Sequence, residues 1–133
     1  SNPDALAWLA AMRRKDGDMY RQSVGASVLC ATFGRHLGLP RASLEHLALG
    51  GLLFDVGKTR LPNDVLLKPD RLTDAEFEVF KGHVLEGLAI LEKSAGIPAP
   101  VLEMTRTHHE RHDGSGYLEG ASGADIPVFG RIA

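Results

Sequence analysis

The chain has 133 residues, 44% of them hydrophobic and 24% charged, which suits one soluble domain with a single core and excludes a disordered tail or a fibre. The 15 Lys and Arg set against 17 Asp and Glu give a formal charge of -2, so nothing draws the chain to a nucleic-acid backbone and no polymeric nucleic-acid partner is expected. The single cysteine, Cys30, has no internal disulfide partner, and no apolar run approaches the ~20 residues of a membrane span; a core thiol, a cytoplasmic setting and no membrane insertion are the expectations.

Apolar residues recur at steps of three and four, and no stretch alternates. This predicts an all-α chain, a bundle of five to six or more helices with a loop-rich C-terminal segment. Ser1-Asn2 resembles the remnant of a cleaved expression tag, and the expectation is a domain taken from a longer protein and lacking its native C-terminus. Residues 1–15 read as a lead-in with a short helix from Asp4 to Arg14, and residues 16–133 as the main domain. After Asp16-Gly17-Asp18 a second helix is predicted from Met19 to Leu37, ended by Gly38 and Pro40. The third opens at Arg41 or Ser43 and carries Leu44, Leu47, Leu49, Leu52, Leu53, Phe54 and Val56. Being apolar almost all round, it is expected to be central.

Gly57 and Pro62 break that helix, and a loop with Pro69 follows. Thr73 and Glu76 then have capping-box spacing, and Phe77, Phe80, Val84, Leu88 and Leu91 step along one face. One helix to about Ser94 is predicted, with Leu52, Leu53, Phe77, Phe80, Val84 and Leu88 in the core. Gly96 and Pro98 stop it, and Pro100 suits the first turn of the next helix, which leads to His108 and His109. Gly114, Gly116, Gly120, Gly123 and Gly130 mark a looped tail, with a last helix starting near Pro127.

Asp55, His83, His108 and His109 are ligand types for a divalent cation and come from three predicted helices. Neighbouring helical residues diverge by about 100°, so His108 and His109 can serve one site only by flanking it at the helix end. Asp55 and Lys58 share a face, setting a cation-binding carboxylate beside an ammonium able to meet a phosphate. Plainer readings compete: a surface ion pair worth under ~1 kcal/mol, an ordinary helix histidine at His83, and a simple turn at Asp113-Gly114-Ser115-Gly116-Tyr117. Spacing alone reaches a helical domain with a candidate metal site.

The segments Gly51-Leu52-Leu53-Phe54-Asp55-Val56-Gly57-Lys58-Thr59-Arg60-Leu61-Pro62, then His83, then His108-His109-Glu110-Arg111-His112-Asp113-Gly114-Ser115-Gly116-Tyr117-Leu118 resemble, in order, the signature blocks of the HD-GYP domain. The stretches from Leu67 to Thr73 and from Ile126 to Ile132 resemble it too, so the likeness runs from about Asp16 to the C-terminus. It implies the all-helical HD superfamily of metal-dependent phosphohydrolases, whose HD-GYP branch typically hydrolyses cyclic di-GMP at two or three iron or manganese ions. Carried over residue by residue, the resemblance implies Asp55, His83, His108 and His109 as metal ligands, and Asp55 and Lys58 as catalytic. It implies Lys58 and Arg111 as substrate contacts, and Asp113, Gly114, Gly116 and Tyr117 as the tyrosine motif.

The chain also departs from that pattern. Phe54 stands where the family has the histidine of its His-Asp pair, and Gln22 falls on an earlier helix histidine. Gly25 and Ala26 replace an arginine and a valine, Leu118 replaces a proline, and the aspartate that follows the closing Arg-Ile of the family is not reached. A phenyl ring has no lone pair and a glutamine only a neutral amide oxygen. At most one ion, iron or manganese, is therefore expected, or none. The resulting expectation is a degenerate HD-GYP signalling domain with impaired or no hydrolysis and a regulatory or interaction role. The alternative is an active metal-dependent cyclic di-GMP phosphodiesterase with an unusual site. Expected partners are cyclic di-GMP or a related nucleotide, a signalling protein, and a second copy in a homodimer.

Overall fold

A computed structural model describes residues 3–133; the tag reading of Ser1-Asn2 lies outside the described residues. Helix α1 (Pro3–Lys15) is followed by α2 (Gly17–His36), which starts where the Asp16 carboxylate accepts hydrogen bonds from the Asp18 and Met19 amides. Those bonds satisfy two donors that a helix start leaves orphaned. Then come α3 (Arg41–Leu53), a 3-10 turn (Val56–Arg60), α4 (Asn63–Leu66), α5 (Asp74–Lys81), α6 (His83–Lys93), α7 (Ala99–Thr107), a second 3-10 turn (Gly123–Asp125) and α8 (Val128–Ile132). Among the described residues there is no strand, so the chain is all-α as expected. Among them, too, no helix is long and apolar enough to cross a membrane.

Helices α2 and α3 pack along each other, and α3 also lies on α7. The largest core cluster joins Met12 and Ala5 of α1 to Met19, Leu53, Val56, Ile90, Leu91 and Val101. Helix α1 is thus seated in the common core, and Lys15 Nζ is bonded to the Leu61 carbonyl at 2.7 Å. A second cluster, Cys30, Leu47 and Met104, gathers Leu44, Phe54, Phe129 and Ile132 around it. The thiol is buried there.

Three expectations need correction. The third helix ends at Leu53 with Phe54 as its C-cap, and Val56 belongs to the 3-10 turn. The helix expected from Thr73 to Ser94 is two, α5 and α6, divided at Gly82. The start is as predicted: the Thr73 hydroxyl accepts from the Glu76 amide at 3.2 Å, and the Glu76 carboxylate accepts from the Thr73 amide at 2.8 Å. Leu53, Val84 and Leu88 are buried, but Leu52 and Phe80 are only partly so, and Phe77 is 43% exposed. Helix α5 buries none of its residues completely; it lies over the rim of the bundle, where an apolar stripe meets a groove.

Gly57 explains why the 3-10 turn replaces continued helix. A Cβ there would collide with the His83 carbonyl oxygen and come 2.5 Å from the Gly87 nitrogen. The bare backbone lets the turn sit directly against the first turn of α6, and a helix continuing straight from α3 would not reach that position.

Candidate metal centre

The 3-10 turn, the start of α6 and the end of α7 meet at one point. Asp55 comes just before the turn, His83 opens α6, and His108 caps α7 with His109 next to it. One ligand atom from each of these four residues lies within 4.8 Å of every other. Because His108 sits at the cap and His109 beyond it, the adjacent pair flanks the site at the helix end.

The imidazoles are held by the backbone. His83 Nδ1 lies 2.6 Å from the Phe80 carbonyl, and His108 Nδ1 lies 2.8 Å from the Thr105 carbonyl. A carbonyl only accepts, so both Nδ1 atoms carry a proton, and both rings turn their Nε2 atoms inward. The two Nε2 atoms are 3.5 Å apart, and His109 Nε2 is 3.1 Å from that of His83. Tethering one ring nitrogen to the backbone is the arrangement that orients a metal-binding histidine.

Asp55 faces these rings. Its Oδ2 accepts from Lys58 Nζ at 2.8 Å, while its Oδ1 is 3.4 Å from both His83 Nε2 and His108 Nε2 and accepts no hydrogen bond although it is buried. Burial opposes the charge on this carboxyl, but His108, His83 and Lys58 outweigh it and hold Asp55 well below the usual carboxylate range. His109 is pushed down to about 3, first by burial and then by the neighbouring His108 and His83. A buried anionic oxygen that faces imidazole nitrogens suits a divalent cation, so the residues present fit one.

Phe54 closes one flank, its ring centroid 4.6 Å from that of His108. Gln22 is exposed on α2, and among the described residues no hydrogen bond or ion pair links it to the cluster. Lys58 is mostly buried and its ammonium lies 5.5 Å from the centre of the Phe80 ring. Arg111 is exposed beyond His109.

The tail curls back over His109. The Tyr117 ring stacks on the His109 ring at 4.6 Å and 19°, and its amide bonds the His109 carbonyl at 3.2 Å. Burial and then the Asp55 charge push the Tyr117 hydroxyl up to about 12. Gly116 makes the curl feasible, since a Cβ there would strike the His109 carbonyl and lie 2.5 Å from the Arg111 nitrogen. Asp113 accepts from the Ser115 amide and hydroxyl, and these bonds hold its carboxyl below the usual range; Gly114 takes φ 76°.

Residue types alone did not disclose the carbonyls of Phe80 and Thr105, nor Phe77 and Lys81 beside the site. The two carbonyls lie three residues before a histidine, a spacing visible only once those histidines are known to sit at helix ends.

Comparison with known proteins agrees with this architecture. Residues 4–133 match the family model described as HD domain. A cyclic di-GMP phosphodiesterase of Pseudomonas aeruginosa is 34% identical over 131 residues, which is 98% of this chain and 32% of that protein. Another from Vibrio cholerae is 44% identical over 100 residues, covering 71% of this chain and 20% of the relative. A 3'3'-cGAMP-specific phosphodiesterase of the same organism is 36% identical over 107 residues, covering 80% and 20%. The chain therefore spans less than a third of the length of each of these relatives. With the match running through nearly every element from α1 to α8, the chain belongs to the HD domain family.

Proposed function

We propose that this domain binds a single divalent cation, iron or manganese, through Asp55, His83, His108 and His109, and that it takes a cyclic dinucleotide such as cyclic di-GMP. Hydrolysis is impaired or lost, and the domain serves as a degenerate HD-GYP module in signalling. The observation that carries this reading is the convergence of four ligand atoms within 4.8 Å beside a flank that Phe54 closes. The substrate class is supported by the relatives, which are named for cyclic di-GMP and 3'3'-cGAMP.

The chain's own groups divide the work. Asp55 keeps Oδ1 for the cation and gives Oδ2 to Lys58, which leaves the other Nζ protons of Lys58 for a phosphate. Arg111, exposed beyond His109, adds a second positive charge on the approach. When bound, the cation supplies Lewis acidity toward the phosphodiester. Efficient two-ion displacement uses ions about 3.5–4 Å apart. Phe54 offers no lone pair for a second one, and Gln22 is exposed on α2 without a bond to the cluster.

A second reading, an active phosphodiesterase at an unusual site, draws on the intact Asp55–Lys58 pair. One experiment separates the two: metal content of protein purified without chelators, followed by incubation with cyclic di-GMP and excess manganese or ferrous iron. The expected outcome is no more than one ion per chain and negligible turnover. Two ions with turnover at ordinary enzyme rates would establish the second reading.

A further inference from the structure

None of the four ligand residues lies on α1, yet this helix is fastened to two of the elements that carry them. At its C-terminal end Lys15 is half-buried, and its Nζ donates to the Leu61 carbonyl at 2.7 Å. Leu61 caps the 3-10 turn, and its amide bonds the Lys58 carbonyl at 3.1 Å. Near the other end Trp8 Nε1 donates to Ser94 Oγ at 3.1 Å, and the Asp4 carboxylate accepts from the Ala95 amide at 2.8 Å. Ser94 caps α6 and its hydroxyl donates to the Ile90 carbonyl at 2.9 Å, so these tethers hold the helix that His83 opens. Between them Met12 is fully buried, in one cluster with Val56 of the turn and Ile90 and Leu91 of α6.

The turn is therefore pressed from two sides, by α6 at Gly57 and by α1 at Val56 and Leu61. A hydrogen bond from a charged donor is stronger than one between neutral groups, and here it pins the carbonyl three residues after Lys58. Lifting α1 frees the turn to drift, and Asp55 and Lys58 drift with it. We propose that α1 is a regulatory strap: Lys15 is a positioning residue that holds the Asp55–Lys58 turn against α6, and docking of α1 and binding of a cation favour each other. The inference rests on the reading of Asp55, His83, His108 and His109 as a cation site.

The test is calorimetric titration with manganese, together with amide exchange of the metal-free chain, for the unaltered protein and for Lys15→Met, Lys15→Arg, Trp8→Phe and Leu39→Ala. Lys15→Met keeps an apolar stem and removes the donor, while Trp8→Phe keeps a ring and removes the far tether. Leu39 packs on the second core cluster, which contains no residue of α1, so Leu39→Ala controls for lost stability alone. Couplings between sites are typically about five- to 150-fold, so Lys15→Met should weaken manganese at least about fivefold and speed exchange of the Leu61 amide. Trp8→Phe should weaken manganese too, and Lys15→Arg, still able to donate to the carbonyl, should bind it as the unaltered protein does. Leu39→Ala should lower Tm and leave manganese affinity unchanged. Unchanged affinity in Lys15→Met overturns the strap and leaves the cation site intact, as does an equal loss in Leu39→Ala; should Lys15→Met not fold, Trp8→Phe decides in its place. Absence of manganese binding by the unaltered protein overturns both.

Discussion

His83 and His108 face each other with their Nε2 atoms 3.5 Å apart, each ring fixed by a backbone carbonyl three residues earlier. Two ring nitrogens and the Oδ1 of Asp55 thus converge on one point. A cation that binds this cluster in the folded chain alone should stabilise the fold. At a free ion concentration about 100 times Kd, the linkage is worth about 2.7 kcal/mol. Manganese titrated during thermal unfolding should raise Tm by several degrees. Asp55→Asn and His83→Gln should each remove most of that rise, and an undiminished rise in both would exclude this cluster as the site.

Gly57 sets how closely the Asp55 turn approaches α6. A Cβ there collides with the His83 carbonyl, backbone that cannot swing away as a side chain could. Gly57→Ala should cost about 1–3 kcal/mol or more, the range for forced overpacking, and should weaken manganese binding because Asp55 moves off His83. Gly25 offers the contrast, being in α2 with nothing within 4 Å of its would-be Cβ. Gly25→Ala should be neutral or stabilise by about 0.5–1 kcal/mol. Thermal melts of the two variants measure both effects.

The capping box of α5 carries Phe77 and Lys81 into place. Thr73→Ala should cost about 1 kcal/mol, as loss of an N-cap does, and should speed amide exchange in the first turn of α5. Glu76 contributes through its charge: Lys68, at 2.6 Å, and the Thr73 backbone hold its carboxyl below the usual value. Because the folded-state pKa is the lower one, that contribution is present above the ordinary carboxylate pKa and fades as pH falls through the folded value. Melts from pH 7 to pH 3 should show the unaltered protein and Glu76→Gln converging at the acidic end.

The legibility of these features in the sequence follows their range. The Thr73 and Glu76 box was readable because a cap is settled by residues three apart. The division at Gly82 was not, since a glycine within a helical pattern is tolerated and only His83, bonding the Phe80 carbonyl, marks the new start. Likewise the apolar stripe of α5 predicted burial for Phe77, but periodicity names a face and is silent on what covers it. Asp55, His83, His108 and His109 were recognisable by type and by resemblance. Their convergence depends on the contact of Gly57 with His83 and Gly87, a long-range fit with no local signature.

The substitutions that set this chain apart can be reversed. Phe54 packs on His108 and belongs to the cluster of Cys30, Leu47 and Met104, so it fills space as well as withholding a ligand. Phe54→His combined with Gln22→His returns two imidazoles but removes part of that packing; a loss of about 1–3 kcal/mol in stability is expected. Metal content should rise above that of the unaltered protein. Turnover of cyclic di-GMP should become measurable yet stay weak, because Gly25, Ala26 and Leu118 still depart from the pattern that the chain otherwise resembles. A second ion is worth several kcal/mol to a phosphoryl-type transition state, and each ~1.4 kcal/mol is a factor of ten in rate. The double variant should therefore exceed the unaltered protein by orders of magnitude. Equal turnover by the two, at rates typical of enzymes, would show that Phe54 and Gln22 never limited the chemistry.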